Sequence, residues 1–279
     1  MAVTNTTTLA GLLPLITSEA LFQANEKSLL KGLVRNFTIP AGGGASIKVP
    51  VYANTTAAAL TEGTEPTHTA ISNSGVTITA SEVGLVSLIS DMAMRGSPQD
   101  VVRDAGKLMG EAIAAKIDAD IAATFTNFSV TQGDGTTAIT AALLFQAAAK
   151  LRALSVPSDG MSIVLHPEIA YDVKSSITST FAAPASEVGN SAMRNSYVGL
   201  LGGIPVYESA AIVSTSGDSI GAIFHRDAIG IAFQNDIQIE TQREVGARGD
   251  KISGWATYGI GELIDAYGME LNYDSSIVS

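Results

Sequence analysis

Residues 98–125 read PQDVVRDAGKLMGEAIAAKIDADIAATF, the longest sustained helical pattern in the chain. Val101, Val102, Ala105, Leu108, Met109, Ala112, Ile113, Ile117 and Ile121 recur at steps of three and four and so share one face of a helix. Ser97 is placed to cap it, Pro98 suits the first helical position, and Gln99 and Asp100 follow in the first turn. At 1.5 Å per residue such a helix is about 40 Å long, enough to cross a whole domain. The pattern predicts a spine beneath a sheet, with the apolar stripe inward and Arg103, Lys107, Glu111 and Asp118 on the open face. Leu108 then belongs to the core, and Leu108→Asp should abolish folding. Gly106 and Gly110 mark a point where the helix bends or another backbone approaches.

What packs around that spine is constrained by composition. Of 279 residues, 46% are hydrophobic and only 15% charged, which is low for a free-standing soluble monomer. Much of the surface is therefore expected to face other protein. The net charge is −11, with 16 basic residues scattered among 27 acidic ones. Sequence-independent grip on nucleic acid needs clustered Lys and Arg, so a dedicated DNA- or RNA-binding role is not expected. A wall that contains DNA without holding it is compatible. No cysteine is present, which removes disulfides, thiolate zinc sites and cysteine nucleophiles together. The opening MAVTNTTTLAGLLPLITSEALF has no basic stretch ahead of a long apolar run, so it does not read as a signal peptide. No stretch reaches the length of a membrane span. A soluble protein made in a cytoplasm is expected.

In order, residues 1–36 read as an extended arm with an approximately helical stretch at 18–34. Residues 37–39 and 47–52 read as strands around the glycine turn 41–44, which lacks the GK[ST] of a phosphate-binding loop. Residues 53–75 (ANTTAAALTEGTEPTHTAISNSG) are too polar to form a core of their own. With the alternating strands 76–81 and 83–90 they predict a long hairpin-like loop projecting from the body, and loops of that length are usually functional. After the spine come a helix at 140–154, a buried strand at 161–165, a helix at 167–177 and a loop at 178–196. A glycine turn at 199–203 precedes a strand at 206–209. Strands at 219–225, 229–233 and 237–241 and two or three more within 251–273 close the chain. Strands and helices do not alternate regularly, so the fold class is α+β.

Chemistry is sparse. Of the three histidines, His68 lies in the polar loop, His166 sits two residues before Glu168, and His225 ends a strand beside Arg226 and Asp227. No pair has metal-ligand spacing, and a strand-end histidine making a structural hydrogen bond is the favoured reading of His166. Asp118 and Asp120 point to different faces of the spine and form no dyad. No G-x-S-x-G elbow occurs, and nothing assembles a nucleophile, a base and an oxyanion donor. No catalytic residue, metal or cofactor is expected. Glu62 and Glu65, in the projecting loop, are expected to be solvated or to pair across an interface. They join His68, Arg95, Arg103, Lys107, Arg194, Arg243 and Arg248 as candidates for inter-subunit contacts.

Local motifs, in order, resemble one family: the major capsid proteins of tailed phages with the Hong Kong 97-type fold. SEALFQANEKSLLKGLVRNF is similar to the segment before the family's extended loop. IKVPVYANTTAAALTEGTEPTHTAISNSGVTITASEVGLVSLIS resembles that loop, with Glu62-Gly63 at its tip. VLHPEIAYDV resembles the strand and helix of the axial domain, and GGIPVYES resembles the turn before its central strand. FHRDAIGIAFQNDIQIETQRE and ISGWATYGIGELIDAYGMEL are similar to the return into the peripheral domain. The resemblance implies an N-terminal arm at 1–36 and an extended loop at 45–90. It implies a peripheral domain from 37–44, 91–138 and 238–279 with its spine at 98–125, and an axial domain at 139–237. It further implies hexamers and pentamers closing into an icosahedral shell around phage double-stranded DNA. The partners are other copies of the chain, portal and scaffolding proteins and a decoration protein, with assembly in the bacterial host cytoplasm into a virion capsid. A separate scaffolding protein is expected, without removal of a large leader. Some members crosslink a loop lysine to a neighbour's asparagine. Residues 53–75 contain no lysine and Lys48 lies at the base, so covalent chainmail is not expected.

Two other readings remain open at this point. An encapsulin-type nanocompartment shares the fold and would hold protein cargo instead of DNA. A hydrolase using His166 and Glu168 is the third and the least supported.

Overall fold

The computed structural model describes residues 28–40, 42, 44–52, 57, 59, 62–63, 73–92, 101–180 and 197–277. The arm at 1–27 and the capping residues Ser97 and Pro98 lie outside this set. So do Glu65, His68, Arg95 and Arg194 among the contact candidates.

The spine is helix α1, Val101–Ala123, which tightens into a 3-10 turn at Thr124–Asn127. Thr124 and Thr126 donate their hydroxyls to the carbonyls of Ile121 and Ala123, which satisfies two end carbonyls locally. Met109, Ile113, Ile117, Ile121 and Phe125 are buried on one line, at steps of four. Two expectations about this helix are corrected. Leu108 is 66% exposed, and Ala112 is exposed beside it. Successive residues are about 100° apart on a helix, so a sheet that seats on Met109 and Ile113 leaves Leu108 and Ala112 on the flank. Asp118, assigned to the open face, is buried, because the chain at 28–31 folds back over it and supplies hydrogen bonds.

Four strands cover the spine, in the order β1-β11-β12-β4. β1 (Arg35–Thr38) runs parallel to β11 (Ile229–Glu244), which forms a long antiparallel hairpin with β12 (Gly249–Glu262). β4 (Ser81–Ser90) pairs antiparallel with β12 at the edge. The segments 229–233 and 237–241, read as separate strands, belong to one strand. Irregularities between Phe233 and Gln238 shift the register and interrupt the alternation. Ile237, Ile239, Ile252, Ala256 and Tyr258 join Met109, Ile113 and Ile117 in one core. Gly254 faces the helix at ordinary packing distance: a Cβ built there would lie 3.5 Å from Met109 Sδ and 3.8 Å from Ile113 Cδ1, so the seat has room for a small side chain.

A second sheet has the order β5-β13-β10-β6-β8-β7, with β9 added to β10. It comprises β5 (Thr131–Gln132), β6 (Met161–Leu165), β7 (Tyr197–Leu201), β8 (Ile204–Glu208), β9 (Ser214–Thr215), β10 (Asp218–His225) and β13 (Gly268–Tyr273). Helices α2 (Ala141–Ala153) and α3 (Pro167–Thr180) cover one face, where Leu144, Ala147, Leu151, Ile169 and Val173 pack on Met161, Ile163, Leu165 and Ile223. On the other face Val164, Ala222 and Phe224 pack with the end of the spine, and Phe125 and Phe224 stack with centroids 5.5 Å apart. β6 is buried at every residue, as a strand covered on both faces must be. β7 and β8 are joined at Gly202-Gly203, both with positive φ (59° and 86°), the geometry of a tight hairpin turn.

A third, two-stranded sheet pairs β2 (Ser46–Tyr52) with β3 (Asn73–Thr79). Ala80 alone separates β3 from β4, so one continuous run leaves the small sheet and enters the large one.

Candidate assembly surfaces

Among the described residues the β2–β3 hairpin is held at its base alone. Val49, Ile78 and Ala80 pack with Ile39, Ala232 and Leu263, and Phe37, Ile47, Val76 and Ile264 flank them. The contact depends on small residues in β11 and β12. A Cβ on Gly259 would sit 2.3 Å from the carbonyl oxygen of Thr79, and one on Gly230 would sit 2.9 Å from Phe37. Glycine at 259 lets the backbone of β3 cross directly over the larger sheet, and glycine at 230 leaves room for the Phe37 and Ile78 side chains. Further out no described residue supports it. Pro50, Tyr52, Asn73, Ser74 and Gly75 are exposed, and Tyr52 is 63% accessible. Glu62 lies at the far turn, exposed, beside Gly63 with φ of 80°.

The large sheet carries the spine on one face, and Val86 and Leu88 of β4 are exposed on its other face. β4 alternates from Val83 to Ile89, yet apolar residues occupy both of its sides. That double pattern was the sequence signal for a sheet covered twice, and no contact candidate was drawn from it. Trp255 stands next to them on β12, half-buried, opposite Gly84, and donates its indole N–H to Gln238 Oε1 at 3.2 Å.

The contact candidates within the described residues have distinct surroundings. Arg243 makes a two-point ion pair with Asp91, at 2.5 and 2.6 Å, and reaches Asp250 at 3.4 Å. Asp91 holds its guanidinium more firmly protonated than usual. Arg248, in the β11–β12 turn, has φ of 47°, and its carbonyl accepts the N–H of Asp91 at 2.9 Å. Arg243 and Arg248 therefore tie the hairpin tip to the exit of β4. Lys107 is half-buried on the spine, and Arg103 lies in its first turn.

Asp118 is a clamp that sequence reasoning missed. It accepts the hydroxyl of Ser28 at 2.6 Å and the N–H groups of Leu29 and Leu30 at 2.9 and 3.2 Å. It thereby caps the 3-10 turn Leu30–Gly32 from a distant element. Burial pushes its pKa above the usual value, against the pull of donors from Ser28 to Lys31. Asp120 points elsewhere, accepting from Lys116 at 2.6 Å and from the Tyr258 hydroxyl at 2.7 Å. The two carboxylates are not a dyad, as expected from their spacing.

His166 Nδ1 lies 3.5 Å from Glu168 Oε2 and accepts the Glu168 N–H at 3.4 Å, while Ser214 donates to the same Glu168 oxygen at 3.1 Å. The serine thus pairs with the carboxylate and not with the imidazole, the reverse of a nucleophile–base arrangement. His225 accepts the Asp227 N–H at Nδ1 (3.2 Å), which leaves Nε2–H to donate to the Asp159 carbonyl at 2.8 Å. Both histidines brace strand ends. Among the described residues no group of three or more His, Cys, Asp or Glu is placed to hold a metal ion, and no helix is long and apolar enough to cross a membrane.

The phage capsid protein family model matches residues 74–270, more than half of the chain. No curated protein sequence is significantly similar. Solved structures share the fold over nearly full length. A protein of Mycobacterium phage Che8 superposes with a TM-score of 0.70 at 19% identity, covering 88% of this chain and 90% of that one. The capsid of cyanophage P-SCSP1u gives 0.68 at 19% identity, covering 89% of each. The SrpI encapsulin of Synechococcus elongatus PCC 7942 gives 0.66 at 13% identity, covering 90% and 89%. The spine under a crossed sheet, the hairpin anchored at its base and the match from 74 to 270 converge: this chain belongs to the phage capsid protein family and has the Hong Kong 97-type fold.

Proposed function

We propose that the protein is the repeating subunit of an icosahedral phage head, forming hexamers and pentamers around packaged double-stranded DNA. The observation that carries this reading is the β2–β3 hairpin, whose outer half has no layer over it among the described residues. A two-stranded ribbon is at best marginal alone in water, so a neighbouring subunit supplies the cover. The spine, the large sheet and the hairpin base form the peripheral part. The second sheet with α2 and α3 forms the axial part, around which copies gather. Many weak contacts, repeated around a closed lattice, add to one strong assembly. A net charge of −11 suits a wall that does not trap the DNA it encloses. The role is structural rather than enzymatic; the Glu168 cluster favours it by directing its serine to the carboxylate. Scaffolding and portal proteins, and a decoration protein, would be the further partners, with assembly in the bacterial host cytoplasm.

Deletion of residues 55–72 tests this. Soluble subunits or open capsomers without closed shells are the expected result in electron micrographs. Normal shells from the deletion variant would refute the hairpin's role. The encapsulin reading shares the fold and is separated by the contents of native particles: DNA for the phage head, an enzyme for a nanocompartment.

A further inference from the structure

One flank of the spine stays open beside the large sheet, and it is apolar. Successive residues step by about 100° around a helix, which places Leu108, Ala112, Ala115, Ala119 and Ala123 within about 80° of one another. Leu108 is 66% exposed, Ala112, Ala115 and Ala123 are exposed, and Ala119 is half-buried. A helix face turned to water normally carries charge. Here charge is confined to the rims, where Lys116 is paired with Asp120 and Asp104 is exposed. The row is about 22 Å long at 1.5 Å per residue. Its far end opens into a cleft of about 550 Å³, which Ala119 and Ala123 also line. Ile212 and Ile220 continue the apolar floor, and Val213 stands at the rim, 78% exposed. Asp134 and Asp218 supply the charge of the cleft, and no Lys, Arg or His lines it. Among the described residues no cation pairs with either carboxylate. Hydrogen bonds from Thr136 and then Thr137 hold the Asp134 carboxyl below the usual range, so it stays ionised at neutral pH.

We propose that this furrow and its acidic end receive an amphipathic helix of a separate protein, with bulky apolar side chains on one face and Lys or Arg in its last turn. The shape argues for a helix. Alanine at successive turns lets a second helix axis come to the near end of the usual range of about 8–10 Å. A straight row of that kind suits a partner anchored by residues at i, i+3, i+4 and i+7. The charge argues for a cationic end, since opposite charges fix partner and register and like charges are repelled. The last turn is also where the helix dipole favours Lys and Arg. Nucleic acid is a poor match, because the same carboxylates repel its phosphates. The arm of this chain is a poor match too. Its apolar run at 9–22 holds Gly11, Pro14 and Glu19 and has no Lys or Arg, and proline inside a helix breaks it. The furrow and the cleft lie within one subunit, so this inference goes beyond the shell reading and does not depend on it.

The test uses the full chain as free subunits and reads peptide binding by fluorescence anisotropy. The probe is a labelled synthetic helix about five turns long, with leucine at i, i+3, i+4 and i+7 and lysine in its last turn. A second peptide carries glutamate in place of those lysines, and a third is residues 9–22 of this chain. The lysine peptide should bind about tenfold or more tighter than the glutamate peptide. Asp218→Lys combined with Asp134→Asn, which keeps an acceptor for Thr136 and Thr137, should reverse that preference. Ala115→Glu should weaken binding of the lysine peptide by about tenfold or more, and Leu108→Ala should weaken it less. Both positions are exposed, so circular dichroism and melting temperature should match the unmodified chain. No binding of the lysine peptide, equal binding of the two charged forms, or binding indifferent to both Ala115→Glu and Leu108→Ala overturns the proposal. Tighter binding of the 9–22 peptide also overturns it and gives the furrow to the arm. None of these results bears on whether the subunits close into shells, which is read separately in electron micrographs.

Discussion

Two antiparallel hairpins in this molecule obey the same local rules and have different fates. β11–β12 runs for 16 and 14 residues, lies on the spine, and buries Ile237, Ile239, Ile252 and Ala256 against it. β2–β3 runs for 7 residues on each side and buries only its base. Strand pairing alone does not make a hairpin permanent; a second layer does. The long hairpin carries its layer in cis, in α1. Among the described residues the short one leaves its outer half open, and on the proposed reading its layer comes from another copy. The two are welded where Gly259 lets the β3 backbone at Thr79 cross the larger sheet, with the Ile78 side chain seated against Gly230 and Gly261.

The sharpest test of that contrast is on the spine. Ile113 is 1% exposed beneath β12, and a charge there has no partner. Ile113→Asp should unfold the subunit, since even truncation of such a residue to alanine costs about 2–5 kcal/mol. Leu108→Asp, five residues away but on the flank, should fold with an unchanged far-ultraviolet spectrum. A folded Ile113→Asp would put the sheet on the wrong face of the helix.

The weld comes next. Gly259→Val places side-chain atoms where the Thr79 carbonyl now sits. Overpacking of this kind costs about 1–3 kcal/mol. Limited proteolysis should cut within residues 45–80 sooner than in the unmodified chain, while β11–β12 stays intact. Equal cutting rates would mean that the hairpin is held by something other than this crossing.

The Asp118 clamp should give an effect of similar or smaller size. Asp118→Asn turns an amide toward donors that need an acceptor, and an unsatisfied buried group costs about 1–3 kcal/mol. Chemical denaturation should register the loss, with Ser28→Ala giving a smaller one. No change in either variant would show that the turn Leu30–Gly32 holds without its cap.

The smallest effect is in pH. Burial raises the pKa of Asp118, Glu262 and Glu270, all in the cis-layered part of the molecule. Each therefore binds its proton more readily folded than unfolded. The stability each contributes is fully present below its unfolded value, near 3.8 for Asp118 and 4.5 for the glutamates, and is lost as pH rises through the higher folded values. Asp134 acts in the opposite sense: its contribution is present above 3.8 and is lost as pH falls through its lowered value. On balance the melting temperature of the free subunit should hold or rise slightly as pH is lowered from neutral toward about 4.5. Asp118→Asn should flatten that rise. A steep fall over the same range would mean that paired carboxylates elsewhere dominate.

Much of this was legible before any coordinates. The spine, the α+β class, the two strand arms on either side of the polar stretch and the family resemblance follow from periodicity, polarity and motif order, while most of the polar stretch itself, 53–72, lies outside the described residues. What failed did so for tertiary reasons. Leu108 fits a stripe of steps of three and four as well as Met109 does, and only the path of β12 over Met109 and Ile113 separates them. Asp118 reads as a solvent-facing acid until a segment some ninety positions earlier folds onto it. The irregularity near Asn235 hid the continuity of β11 by breaking its alternation. The exposed Leu154, Leu200 and Val213 carried no local signal, because exposure of a single apolar side chain is a property of the packed surface and not of its neighbours in sequence.

The claim that one hairpin is layered in cis and the other in trans is tested most directly by hydrogen exchange, comparing free subunits with assembled shells. Amides of β11–β12 should be protected in both. Those of Val51, Tyr52, Asn73 and Ser74 should exchange freely in the subunit and slow by about tenfold or more in the shell. Equal protection of the outer β2–β3 amides in the two states would contradict the account.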